Sequence, residues 1–327
     1  MNLAHFLNPR RLPLVITTLL FALLYGFGAL SYDAFLSPQV FINLFIDNSF
    51  LLVVAVGMTF VIISGGIDLS VGSIVALTTM VSATLAQKYG WTFWQILPLV
   101  LAMGCLFGLF MGVLIQVFKL QPFIVTLGGM FLARGLCYVI SIDSISITVP
   151  SFTELSEYRI PLGEETFISI SAVVALAVLV VGIFLAHYTR FGRTVYAIGG
   201  NQRSAMLMGL PVAKTRILVY VLSGFCSALG GVLVTLYMLS GYGLHALGFE
   251  MDAIAAAVIG GTLLTGGVGY LAGTLIGVAI LGVIQTLIVF DGSLSSWWTR
   301  IAIGALLFFF CLMQRLLERS SKTIQAK

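Results

Sequence analysis

The sequence predicts an all-α integral membrane protein of about ten transmembrane helices, some of them short or broken, in one continuous membrane domain. Three observations predict it. Of 327 residues, 60% are hydrophobic and only 9% charged, against about a quarter charged in ordinary soluble domains. Mean hydropathy is +1.11. Apolar runs near the ~20 residues needed to cross the hydrocarbon core recur along the whole chain. Sixteen Lys and Arg with twelve Asp and Glu cannot coat a soluble globule of this size, which excludes soluble enzymes and nucleic-acid binders. The net charge of +4 arises from basic residues in short loops, where they set orientation.

Ten segments qualify as spans, near 12–30, 41–64, 69–86, 96–118, 122–141, 167–187, 216–239, 252–265, 271–290 and 298–315. The first follows Arg10 and Arg11 and outruns a signal-peptide core. It lacks a small-x-small cleavage site and reads as a retained span. The third and eighth are short and adjoin Gly65–Gly66 and Gly260–Gly261 with Gly266–Gly267, which predicts tilted, broken or re-entrant helices. With the amino terminus inside, twelve of the sixteen Lys and Arg fall on the cytoplasmic side: Arg10, Arg11, Lys119, the basic residues of 190–216 and those of 315–327. That asymmetry is the mark of cytoplasmic loops, so both termini are expected inside. Asp33, Asp143, Glu154, Glu157, Glu164, Glu165, Glu250, Asp252 and Asp291 then lie at the outer surface.

This arrangement divides the chain into a cytoplasmic amino terminus 1–11, an outer loop 141–166, an inner segment 188–216 and a cytoplasmic tail 316–327. The outer loop carries Pro150, Pro161, Gly163 and four glutamates and is either a connector or a docking surface. The inner segment places helix-compatible residues Asn201–Met208 between Gly200 and a Gly209-Leu210-Pro211 stop. Asn201 is suited to cap that helix, with Ser204 and Ala205 expected on its exposed face. Composition alone leaves it either an interfacial basic loop on anionic lipid headgroups or a helix that fits a cleft on another protein.

Little here points to covalent chemistry. Cys105, Cys137, Cys226 and Cys311 lie in apolar runs with no CxxC pair. His5, His187 and His245 are too scattered for a zinc site, so neither metal nor bound cofactor is expected. No GxxxxGK[ST] occurs, hence no nucleotide-cradling P-loop. Gly267-Val268-Gly269-Tyr270-Leu271-Ala272 matches GxGxxA formally but joins two membrane segments rather than opening a βαβ unit. Gly104, Gly108 and Gly112 repeat every four residues and predict a close helix–helix seam, as do Gly273 and Gly277.

Ionisable groups at membrane depth are costly and few. Asp68 with Ser70 reads as a cap for the helix from Val71. Asp47, beside Asn48, and Arg134 either pair inside the bundle or line a polar pathway. Gln116, Gln121, Thr126 and Gln285 add groups that contact a polar solute or join helices. No chain of deep carboxylates or histidines can be assembled for proton coupling.

The stretch from Gly57 to Ser73, with GGIDLSVG at 65–72, resembles the permeases of bacterial ATP-binding-cassette sugar importers of the ribose, xylose and galactoside type. Two further stretches are similar. Gly199-Gly200-Asn201 with Ser204, Ala205, Gly209, Leu210 and Lys214 resembles the segment that docks on the ATPase. Phe249–Ala256, Val258–Thr262 and Gly266–Gly269 resemble the carboxy-terminal motif. Thr262-Leu263-Leu264-Thr265 is more apolar than that pattern, which weakens a sugar contact for Thr262. The likeness covers the chain from the second span almost to its end and is nearest to galactofuranose importers.

The resemblance implies a type II importer fold in the bacterial inner membrane and no enzymatic activity of its own. It also implies a cytosolic ATPase, a periplasmic sugar-binding protein and a second permease, a different chain or another copy of this one. Residues 201–208 become a coupling helix, and Asp47, Asn48, Ser64, Asp68, Ser70, Gln121, Arg134 and Thr262 the pathway or gating candidates. Alternating access follows, with the spans around 64–73 and 259–265 rocking. Too few polar groups at depth predict weak selectivity in the membrane. The rivals are an ion-coupled secondary carrier and an intramembrane enzyme, for which no facing nucleophile and base can be read.

Overall fold

The computed structural model describes residues 12–163, 166–295 and 297–325. The expected amino terminus 1–11, with His5, Arg10 and Arg11, lies outside the described residues, as do Glu164, Glu165 and Lys327. Helix α1 (Leu12–Ser31) is followed by a 3-10 turn (Asp33–Leu36) and a bent pair, α2 (Pro38–Asp47) and α3 (Ser49–Ile63), that turns by 54° at Asn48. Then come α4 (Val71–Tyr89), α5 (Phe93–Gln116) and α6 (Pro122–Ile140). The outer loop holds β1 (Ile145–Ser146), α7 (Pro150–Glu157), β2 (Arg159–Pro161) and β3 (Phe167–Ser169). The second half runs through α8 (Ile170–Tyr188), α9 (Arg190–Gly200), α10 (Gln202–Leu207), α11 (Val212–Met238), β4 (Ser240–Gly241), α12 (Phe249–Ile259), α13 (Leu271–Asp291) and α14 (Trp297–Gln325).

Each expected span becomes a helix, but the count of ten needs correcting. Among the described residues seven helices are long and apolar enough to cross a membrane, and the bent α2–α3 pair makes an eighth. The other two are α4 and α12. Helix α4 is nineteen residues long but carries buried Ser73, Thr78, Thr79 and Ser82. Two of these hydroxyls bond back to their own turn, Ser73 Oγ to Ser70 O at 2.7 Å and Thr79 Oγ1 to Ala76 O at 2.8 Å. Helix α12 has eleven residues, about 16 Å of rise, half a bilayer core. Both are walled in by other helices, so neither needs a lipid-facing apolar surface. Helix α14 continues to Gln325, so the expected tail begins as helix.

Helix α11 is the central post and packs on α3, α4 and α5. The glycine seam predicted on α5 is one of these contacts. A Cβ at Gly104 would strike the Gly224 carbonyl and one at Gly108 the Tyr220 carbonyl, while at Gly112 it would come within 3.1 Å of Ile217 Cα. The seam between α12 and α13 is built likewise, with Gly273 against the Gly260 carbonyl and Gly277 against that of Ala256. Bare helix faces let dispersion contacts form backbone to backbone where lipid supplies no hydrophobic drive.

The outer loop is a folded cap. Phe152 of α7 is buried against Phe93, ring centroids 5.3 Å apart, and Ser156 Oγ donates to Leu236 O at 2.6 Å. The antiparallel pair β1–β4 ties this cap to the end of α11, and β2 pairs with β3.

Candidate coupling and gating site

Helices α3 and α12 end in the same way. At the first break Gly65 has φ +80°, with Gly65 N–H donating to Ile62 O (2.9 Å) and Gly66 N–H to Val61 O (3.0 Å). At the second, Gly261 has φ +91°, with Gly261 N–H donating to Val258 O and Thr262 N–H to Ala257 O, both 3.0 Å. Only glycine adopts this left-handed cap without strain.

The chain then leaves each break differently. After the first, Asp68 is fully buried. Its Oδ1 accepts the Ser70 backbone N–H (3.0 Å) and hydroxyl (2.6 Å), and its Oδ2 accepts Ser223 Oγ from α11 at 2.7 Å. Asp68 does not cap α4 as expected, because its bonds go to Ser70 ahead of the helix and not to the N–H groups of the first turn; it instead folds the entry to α4 and fastens it to α11. Ser64 Oγ donates to Val61 O at 2.7 Å. After the second break no carboxylate enters among the described residues. Gln314 Nε2 of α14 donates to Val258 O (3.2 Å) and Thr262 O (3.3 Å), and Thr17 Oγ1 of α1 donates to Ile259 O at 2.5 Å. Thr262 is fully buried, and its hydroxyl has no partner among the described residues.

The inner segment meets both breaks. Thr189 starts α9 by accepting the Gly192 N–H at 3.2 Å. At its far end a Cβ on Gly199 would collide with the Ile63 carbonyl and the Gly267 nitrogen. Gly267 N–H donates to Ile63 O at 2.8 Å, so the two breaks are bonded to each other where α9 abuts them. Tyr196 OH adds a bond to Gly269 O at 2.7 Å. Burial first, then the neighbouring Tyr270, pushes the Tyr196 phenol up to about 12, so it keeps its proton for that bond at neutral pH. Gly199 is therefore required by close approach. Both it and Gly200 are helical, and the chain turns at Asn201. Gly200 itself has open space where a side chain would sit.

Asn201 caps α10 as expected, its Oδ1 accepting the Ser204 N–H at 2.9 Å. Gly209 (φ +74°) closes it, with Leu210 N–H donating to Ala205 O at 3.2 Å, a Schellman ending. Ser204 is exposed, but Ala205 is not. It is fully buried in a small cluster with Ile198 and Val212, which corrects the expectation for that face. The exposed apolar residues are Met206, Leu207 (89% exposed) and Met208, which sequence reading did not single out. Lys214 is exposed at the start of α11 and Leu210 half-buried. An open cleft of about 560 Å³ lies beside them, lined by residues 198–203 and Met206.

The remaining pathway candidates lie elsewhere. Gln121 is exposed at the start of α6. Asn48, at the α2–α3 bend, is buried and donates to Leu44 O at 3.0 Å. Asp47 and Arg134 do not pair. Asp47 Oδ1 accepts the Tyr237 hydroxyl at 3.3 Å, while Arg134 Nη1 donates to the carbonyls of Gly243 (2.5 Å) and His245 (3.0 Å).

The geometry is that of a membrane helix bundle, and comparison with known proteins agrees. A family model described as the branched-chain amino acid transport system / permease component matches residues 40–311. The inner membrane ABC transporter permease protein YjfF of Escherichia coli is 52% identical over 308 residues, 94% of this chain and 92% of that protein. The fructose import permease protein FruG of Bifidobacterium longum is 37% identical, covering 94% and 92%. The ribose import permease protein RbsC of Escherichia coli is 39% identical, covering 76% and 78%. These names describe transporter permeases, neither enzymes nor ion-coupled carriers. No solved structure matches. The chain belongs to the permease family of bacterial ATP-binding-cassette importers, as a multi-pass inner-membrane subunit whose ATP is hydrolysed by a separate protein.

Proposed function

We propose that this chain forms one wall of an alternating-access pathway for a monosaccharide, driven from α10 by a cytosolic ATPase. The observation that carries the reading is the junction at Gly199, where α9 touches both helix breaks in backbone contact and Gly267 N–H bonds Ile63 O. A displacement of α10 reaches both breaks through rigid backbone, with no flexible side chain to absorb it. Both termini face the cytoplasm in this reading, and the basic segment 188–216 rests on anionic lipid headgroups. A second permease, a different chain rather than a second copy, completes the pathway, and a periplasmic binding protein delivers sugar at the cap around α7. Galactofuranose is the first sugar to try, on the sequence likeness. Relatives named for ribose and fructose widen the panel.

The test is at the exposed face of α10. Leu207→Asp leaves the buried Ala205 cluster intact and places a charge on the apolar tip. The expected result is loss of the ATPase on co-purification and at least a tenfold fall in ATP-dependent uptake, the scale of an interface hot spot. Retained ATPase and unchanged uptake would overturn the coupling assignment.

A further inference from the structure

The junction occupies one end of the bundle, and a second polar feature sits at the other, between α2, α3, α11 and α13 and against the outer cap. Asp47 stands at the α2–α3 bend beside Tyr237, the penultimate residue of α11. Its side chain is exposed. Asn43, Ser156, Arg159 and Ser169 share its surroundings, so this end of the bundle borders a polar space. Two cavities flank it, of about 440 Å³ and 300 Å³, and both are lined by Asn43, Asp47 and Tyr237. The larger also takes in Phe50, Gln285 and Thr286.

Hydrogen-bonding capacity is left open around these cavities. Tyr237 OH reaches one oxygen of Asp47 at 3.3 Å, and Asn43 Oδ1 accepts Gln39 Nε2 at 2.7 Å. The second Asp47 oxygen, the Asn43 amide nitrogen and the whole Gln285 amide have no partner among the described residues. Beside them Phe50 packs edge-on against Tyr237, ring centroids 5.8 Å apart. A carboxylate and two amides next to aromatic faces match a molecule with adjacent hydroxyls on one side and C–H groups on the other.

We propose that Asp47, Asn43, Gln285 and Tyr237 form a sugar subsite within the permease, and that it contributes to which monosaccharide is passed. The carboxylate accepts from neighbouring hydroxyls, the amides donate and accept, and the Tyr237–Phe50 pair covers the apolar ring face. This rests on the importer reading. It replaces the expectation of weak selectivity in the membrane, which could not see Asn43, Tyr237 and Gln285 gather round Asp47 from three helices.

The test uses the complete transporter in proteoliposomes, with its ATPase, second permease and binding protein. The probes are labelled D-ribose, L-arabinose, D-fructose and D-galactose. Asp47→Asn and Gln285→Leu are each expected to lower uptake of the preferred sugar at least tenfold and to change the ranking of the four. Both variants should keep the ATPase and the second permease on purification. Tyr237→Phe, which removes one hydroxyl, should fall between. Unchanged uptake and ranking would overturn the subsite, and so would loss of the second permease from both purified variants, which would make this face a subunit contact. If the wild-type assembly itself shows no ATP-dependent uptake, the importer reading fails first, and the subsite with it.

Discussion

The two helix breaks end on the same pair of backbone bonds yet are anchored to different bodies. At 64–70 the anchor is internal and built on a carboxyl group: Asp68 collects three donors, one of them Ser223 on the central helix α11. At 260–270 it is peripheral and neutral: Gln314 and Thr17 reach in from α14 and α1 to satisfy carbonyls at the end of α12. A buried carboxylate holding several donors resists rearrangement, because each lost bond strands a polar group away from water. The second break is held by as many bonds, but they are split between two side chains on two outlying helices, so they can be released separately. The first break is therefore the stiffer element and the second the one built to yield, although α9 touches both.

The largest effect is expected where the two meet. Gly199→Ala puts a methyl into the Ile63 carbonyl and the Gly267 backbone, overpacking that typically costs about 1–3 kcal/mol. It should cut ATP-dependent uptake at least tenfold. Gly200→Ala, one residue on and in open space, should stay within twofold of wild type. Equal effects at the two glycines would dissolve the junction. Next comes the contrast in anchors, read by thermal unfolding of the purified complex. Asp68→Ala strands the Ser70 and Ser223 donors and should destabilise by about 1–3 kcal/mol. Gln314→Ala should cost about 1 kcal/mol and act mainly on the second break, seen as faster hydrogen exchange at 260–270. The reverse order would invert the comparison. The smallest effect belongs to Thr262→Val, which removes a buried hydroxyl with no partner among the described residues. Stability should hold within about 0.5 kcal/mol, and a larger loss would mean that the hydroxyl is engaged.

Much of this was legible in the sequence, for identifiable reasons. Glycine pairs flanking short apolar runs announced both breaks, since interrupted membrane helices need glycine at their caps. The four-residue glycine repeat announced a close seam on α5, though not its partner α11, and Asn201 announced the cap of α10. Three things were hidden. Helix α10 has six residues, under two turns, so periodicity could not tell that Ala205 faces inward and Leu207 outward. Arg134 is satisfied by carbonyls more than a hundred positions away, and sequence spacing carries no such information. Helix α4 reads from sequence as a short span at 69–86, and its hydroxyl-rich face, which sequence cannot place, is tolerated because other helices surround it.

The seam between α5 and α11 bears on how the molecule is made. Gly104 and Gly224, whose backbones touch, lie 120 positions apart. During synthesis α5 enters the bilayer long before its partner exists, presenting a bare strip that lipid tails fill poorly. Insertion of α11 then displaces those lipids and closes α3, α4 and α5 around itself. The bundle's final shape is therefore set by a late arrival, and a bulky side chain at Gly104 or Gly108 would act first as a defect of assembly and only afterwards as a defect of transport.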